Sequence, residues 1–162
     1  MPDSLPNGRF AGREAFEQLV RDALERAAQE GWREIILSDA TFLEWPLRER
    51  VVAQSLHAWS KSGRRLTMLA GRYDEVLRHH ARFVEWRKAW GHIVDCRVCR
   101  DVVADDFPSA IWSKGWFLQR VELEHSVGIC GDDPERLVQL KETLEEKKRH
   151  STPGFAASTL GL

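Results

Sequence analysis

Long apolar runs are missing from this chain of 162 residues. None comes near the roughly 20 residues that a membrane-spanning helix needs. The opening stretch, Met1 to Ala11, has neither the basic start nor the apolar core of a secretory leader, so a cytoplasmic location away from membranes is the expectation. Cysteine is scarce as well. Cys96, Cys99 and Cys130 are an odd number at low density, which argues against a disulfide framework and for reduced core thiols. An excess of one charge is also absent, with 24 Lys and Arg against 25 Asp and Glu. No global field therefore draws the protein to nucleic acid, and contact with a polyanion, which is not excluded, would have to be local. No Gly-rich phosphate loop, nucleophile elbow or paired metal-binding histidines occur, so no cofactor is implied. Cys96-Arg97-Val98-Cys99 has the spacing of a metal or redox pair, but residues three apart on a strand point to opposite faces, and no second pair completes a zinc site. No metal is expected.

What is present is enough for one core. At 43% hydrophobic residues, a chain of this size buries roughly two-thirds of its unfolded surface. The punctuation divides it into a lead-in over 1–11, a single α/β domain over 12–150 and a small-residue tail over 151–162. Phe16, Leu19, Val20, Ala23, Leu24 and Ala27 recur at helical spacing before Gly31, predicting a first helix. Arg33 to Asp39, Arg65 to Ala70 and Ile93 to Cys99 read as strands. Between them, Pro46 to Ser62 and Asp74 to Trp90 read as helices. Strands alternating with helices imply right-handed crossovers and parallel pairing. Ile111 to Leu118 and Val121 to Cys130 read as an antiparallel pair, and Asp133-Pro134-Glu135 opens a final helix ending in Lys147-Lys148-Arg149-His150. The expected fold is a three-layer αβα sandwich with a mostly parallel central sheet and one antiparallel strand pair.

Ligands of open parallel sheets bind beyond the carboxyl ends of the strands. Those ends carry Ser38 and Asp39, Gly71 and Arg72, and Arg100 and Asp101, so Asp39 and Arg72 are candidate site residues, although polar residues also simply terminate strands. His80 and Arg87 fall on the apolar face that Tyr73, Val76, Phe83 and Trp90 define on the third helix. A buried cation must be paired or hydrogen-bonded. Either backbone satisfies both residues or they reach an anion-binding pocket. Seven tryptophans add a further option, since Trp45, Trp112 and Trp116 lie where exposed rings would form a partner surface or a stacking platform for bases, although most of the seven read as core anchors.

Element order, size and a lysine-bearing strand after the third parallel strand resemble a single half of a phospholipase D-type domain. The signature of that family is His-x-Lys, four residues, then Asp. Here the best register is Trp112-Ser113-Lys114, then Gly115 to Leu118, then Gln119. Lys114 matches the family lysine, while tryptophan and glutamine replace the histidine and aspartate, so the resemblance is to a degenerate member. It implies that the covalent route is closed, because an indole has no basic nitrogen to attack phosphorus. What it leaves is a phosphate-sized site with Lys114, and with Arg72, His80 or Arg87 at its edge. The implied function is non-catalytic binding of an anionic or phosphate-containing ligand, or of a protein partner that includes a second copy in a homodimer. The alternatives are an enzyme of different mechanism centred on His80 and Asp39, and a purely structural dimerisation module.

Overall fold

The computed structural model describes residues 4–100 and 106–155. The first helix, α1 (Arg13–Glu30), buries the six apolar residues of the expected stripe. It ends where Gly31 turns left-handed (φ 69°) and returns its N–H to Ala27 O, a conformation that glycine adopts without a Cβ penalty. Three parallel strands follow: β2 (Glu34–Ser38), β3 (Arg65–Ala70) and β4 (Val94–Val98), in register Ile36↔Thr67 and Met68↔Cys96. Helix α2 (Arg50–Ser60) connects the first two. Pro46 stands before it in a turn that the Glu49 N–H closes on the Pro46 carbonyl.

The expected third helix is two, α3 (Asp74–His79) and α4 (Ala81–Ala89), hinged at His80 with φ −119° and ψ 56°. At that break the imidazole bonds across to the Phe42 carbonyl at 2.7 Å. The final helix, α5 (Pro134–Arg149), matches its signals: Asp133 caps the Arg136 N–H, proline stands in the first turn, and Lys147, Lys148 and Arg149 occupy the last.

The sheet is a correction to the expected topology. Eight strands run β1-β7-β6-β5-β2-β3-β4-β8, and only β2–β3 and β3–β4 pair in parallel among the described residues. The sheet is thus mostly antiparallel, not mostly parallel. The physical cause is a turn hidden in an apolar stretch. The Ser113 hydroxyl donates to the Trp116 carbonyl (2.7 Å) and accepts the Trp116 N–H (3.1 Å). This folds the chain back, so the expected strand pair becomes three strands, β5 (Ser109–Trp112), β6 (Phe117–Glu122) and β7 (Val127–Gly131). Two short strands extend the antiparallel set. Strand β1 (Gly8–Phe10), inside the expected lead-in, pairs with β7, and β8 (Thr152–Pro153), inside the expected tail, pairs with β4.

Helices α1 to α4 pack on one face over Leu37, Leu66, Met68 and Leu118. On the other face α5 lies alone, with Leu137, Leu140 and Leu144 against Ile36, Leu69, Trp112 and Phe117. No helix among the described residues is long and apolar enough to cross a membrane.

Candidate functional site

Strand β2 ends in a loop, 39–49, that is tied down from several directions. Asp39, 5% exposed, accepts the Thr41 and Phe42 N–H groups through Oδ2 (3.2 and 2.8 Å). This side-chain-closed turn accompanies the left-handed backbone of Phe42 (φ 62°), a conformation rare for an aromatic residue. The Ala40 carbonyl accepts the N–H groups of Gly71 and Arg72, which joins the ends of β2 and β3.

Beneath this loop lies Arg120, supplied by the middle of β6 and 6% exposed. Its Nη2 donates to Asp39 Oδ1 (2.9 Å), Nε to Ser109 Oγ (2.9 Å), and Nη1 to Glu44 Oε1 (2.6 Å) and Ser126 Oγ (3.2 Å). The guanidinium carbon stands 4.3 Å from the Phe16 ring centroid. A buried guanidinium is tolerable only when its donors are used, and here four acceptors and an aromatic face serve it. The node thereby spends its positive charge internally. The Glu44 side chain, at 38% exposure, is its one half-open member against 7% for that of Asp39.

Of the sequence-predicted site residues, Asp39, His80 and Arg72 meet at residues 40–42 of this loop, while Arg87 bonds Phe155 and Lys114 stands at the other end of the sheet. Asp39 belongs to the arginine node. His80 is fully buried, its Nε2–H donating to Phe42 O, and Nδ1 has no partner among the described residues. Burial holds its pKa below the usual imidazole value. His80 and Asp39 both bond the Phe42 backbone, one at its carbonyl and the other at its N–H, and no hydrogen bond joins the two side chains among the described residues. Arg87 donates Nη2 to the Phe155 carbonyl (2.8 Å), with its guanidinium 5.6 Å from the Phe155 ring. Its Nε and Nη1 find no acceptor among the described residues. Arg72 is exposed beside Ala40.

Lys114 lies at the other end of the sheet. Because β5 runs antiparallel to β2, the Ser113–Trp116 turn stands beside the start of β2 and not its end. Five residues of strand, roughly 17 Å, separate the two ends. Trp112, at the position the resemblance gives to the nucleophile, is 6% exposed and donates its indole N–H to the Leu137 carbonyl (2.9 Å), while Lys141 Nζ stands 4.6 Å from its ring. Trp45 and Trp116 are buried as well. Of the two readings of these tryptophans, exposed platform or core anchor, all three positions show the core anchor. The thiols of Cys96 and Cys99 sit in the two different cores, as the strand geometry requires. Burial pushes the Cys96 thiol up to about 12.

Sequence reasoning missed Arg120 and Glu44. With a strand expected to break after Leu118, Arg120 falls in a connection. The usable signal was the turn-like Ser-Lys-Gly at 113–115, which shifts the strand and sets Leu118 and Arg120 on one inward-facing row. It also missed Glu122, Glu124 and His125, an exposed trio on the β6–β7 turn in which His125 bonds Glu122 at 2.6 Å.

A second feature lies at the Lys114 end: a groove of about 1270 Å³ between α5 and the segments leading into β2 and out of β5. Trp32, Trp112 and Leu137 contribute its apolar lining.

A mixed eight-stranded sheet with a parallel β2–β3–β4 unit, helices on both faces and an antiparallel flank defines the class of this domain. No family model matches the sequence, and no curated protein matches it. Solved structures give the fold. TrmBL2, an archaeal chromatin protein described as showing a novel mode of DNA binding, superposes with a TM-score of 0.67 at 12% identity over 94% of this chain and 56% of its own. This chain thus spans little more than half of that protein. Nuc from Salmonella typhimurium, a phospholipase D family member, gives 0.60 at 10% identity, covering 91% of this chain and 98% of Nuc. NucT from Helicobacter pylori gives 0.61 at 8% identity with the same coverage. The chain has the phospholipase D-type fold.

Proposed function

We propose that this chain is a non-catalytic domain of phospholipase D-type fold that binds an anionic, phosphate-containing ligand around the 39–49 loop. One observation carries the reading. Arg48, Arg72 and Arg82 are exposed, all are tethered to this loop, and none forms an ion pair among the described residues. Arg72 joins it through Ala40, Arg48 donates Nη2 to the Leu43 carbonyl (3.2 Å), and Arg82 donates Nη1 to the Arg48 carbonyl (2.9 Å). Guanidinium groups without ion-pair partners among the described residues, gathered on the segments that follow the carboxyl ends of parallel strands, suit phosphate by charge and by their forked donors. The buried Arg120 node supplies structure beneath them, and the imidazole that contacts the loop, that of His80, is sealed under Phe42. The TrmBL2 likeness supports DNA as one carrier of that phosphate chemistry.

Thermal-shift titration with inorganic phosphate, a nucleotide and a short DNA duplex tests the reading. At least one is expected to raise the melting temperature, and the Arg48→Ala/Arg72→Ala/Arg82→Ala variant should abolish the shift. If none raises it, ligand binding falls. Turnover of a chromogenic phosphodiester that the purified triple variant loses would overturn the non-catalytic half of the reading.

A further inference from the structure

The groove beside α5 is independent of the arginine loop, and its chemistry is different. Its volume, about 1270 Å³, exceeds the usual range of small-molecule sites, roughly 300–1,000 Å³, so a macromolecular segment suits it better than a metabolite. On its α5 wall Val138 leaves 59% of its surface open.

Charge narrows the choice of occupant. Lys141 is already paired with Glu34, and Arg149 with Glu146. Among the described residues this leaves Asp132, Glu142 and Glu145 without ion-pair partners against Arg33 and Lys114. Glu142 and Glu145 lie one turn apart on α5, directly after Val138 on the same face. The lining as a whole is close to neutral, and the carboxylates of Glu142 and Glu145 are the place on it where a cationic side chain is favoured.

Backbone chemistry narrows it further. The lining strands are interior members of the sheet, since the outermost strands are β1 and β8. The groove offers no free ladder of N–H and C=O groups for an added strand. An occupant must satisfy its own backbone, and a helix does so.

We infer that the α5 groove docks a basic amphipathic helix of a partner protein. Apolar residues at i, i+3/i+4 and i+7 settle against Val138 and the half-buried Trp32, and Lys or Arg on the flank meets Glu142 and Glu145. The helix lies alongside α5, as in other helix-in-groove complexes.

The test is selection of displayed 16-residue peptides on the purified protein, followed by affinity measurement by fluorescence anisotropy on wild type, Val138→Asp and Glu142→Lys/Glu145→Lys. Selected peptides should show the helical apolar spacing with net positive charge. They should bind each variant at least tenfold more weakly, and versions with Lys exchanged for Glu should recover affinity on the charge-reversed double variant. Circular dichroism melting must first show both variants folded, which is expected because Val138 is open and neither glutamate makes an ion pair. If no peptides are enriched, if the enriched peptides are acidic or extended, or if they ignore both variants, the inference is overturned. Sedimentation equilibrium showing a dimer that Val138→Asp dissolves would assign the groove to a second copy and overturn it equally.

Discussion

The two ends of the sheet are built on opposite plans. Where β2 and β3 finish, charge is knotted into the interior: Arg120, Asp39 and Glu44 consume one another's hydrogen bonds under the 39–49 loop. Where β2 begins, a single helix covers the sheet, and a groove remains with carboxylates facing water. The difference teaches that a loop anchored from below can carry exposed arginines rigidly, whereas a face covered by one helix keeps room for something else to join.

The comparison breaks most readily at Arg120. Arg120→Ala strands the buried Asp39 carboxylate, and loss of one partner from a buried pair costs about 3–5 kcal/mol. Urea unfolding should show this drop, and adding Asp39→Ala should restore part of it. An unchanged denaturation midpoint in Arg120→Ala would deny the node its structural role.

Next in size is the anchor of the lone helix. Leu144 is fully buried between α5 and the sheet. Leu144→Ala should cost about 2–5 kcal/mol in the same experiment. A smaller loss would mean that α5 is held by its ends and not by its face.

A pH effect comes third. Burial lowers the folded-state pKa of His80 beneath its ordinary value of 6.5. The unfolded chain takes up a proton near that pH and the folded one resists, so this contribution to stability is complete above pH 6.5 and falls as acid is added through it. The melting temperature should be lower at pH 5 than at pH 7.5. His80→Gln, which still has a donor for the Phe42 carbonyl, should flatten that slope.

The smallest effect belongs to Lys114, which is exposed and forms no ion pair among the described residues. Lys114→Ala should shift stability by less than about 0.5 kcal/mol. It should also leave phosphate binding at the opposite end unchanged in the thermal-shift titration.

Much of the frame was legible because it rests on local periodicity. The stripe from Phe16 to Ala27, the runs that became β2, β3 and β4, and the Asp133-Pro134 start of α5 all announce themselves within a few residues. What was not legible depends on distance in sequence. Arg120 meets Asp39 across 81 positions and Glu44 across 76, and no local pattern encodes such a meeting. The Ser113–Trp116 turn hid because apolar residues flank it on both sides, which erases the alternation that marks strand ends. Lys114 was assigned by motif register alone, and the antiparallel return of β5 carried it to the far end of the sheet.

Strand β8 has a bearing on solubility. The outer margin of a sheet is a template on which other chains can grow, and Val94, Cys96 and Val98 would make β4 an inviting one. The segment from Ser151 to Gly154 blunts it: Arg97 clasps Ser151, Gly154 bonds the Cys96 carbonyl, and Pro153, in the last strand, has no N–H to extend the ladder. These few residues thus cover the β4 margin, so that an approaching chain meets a short, proline-bearing edge and not β4 itself.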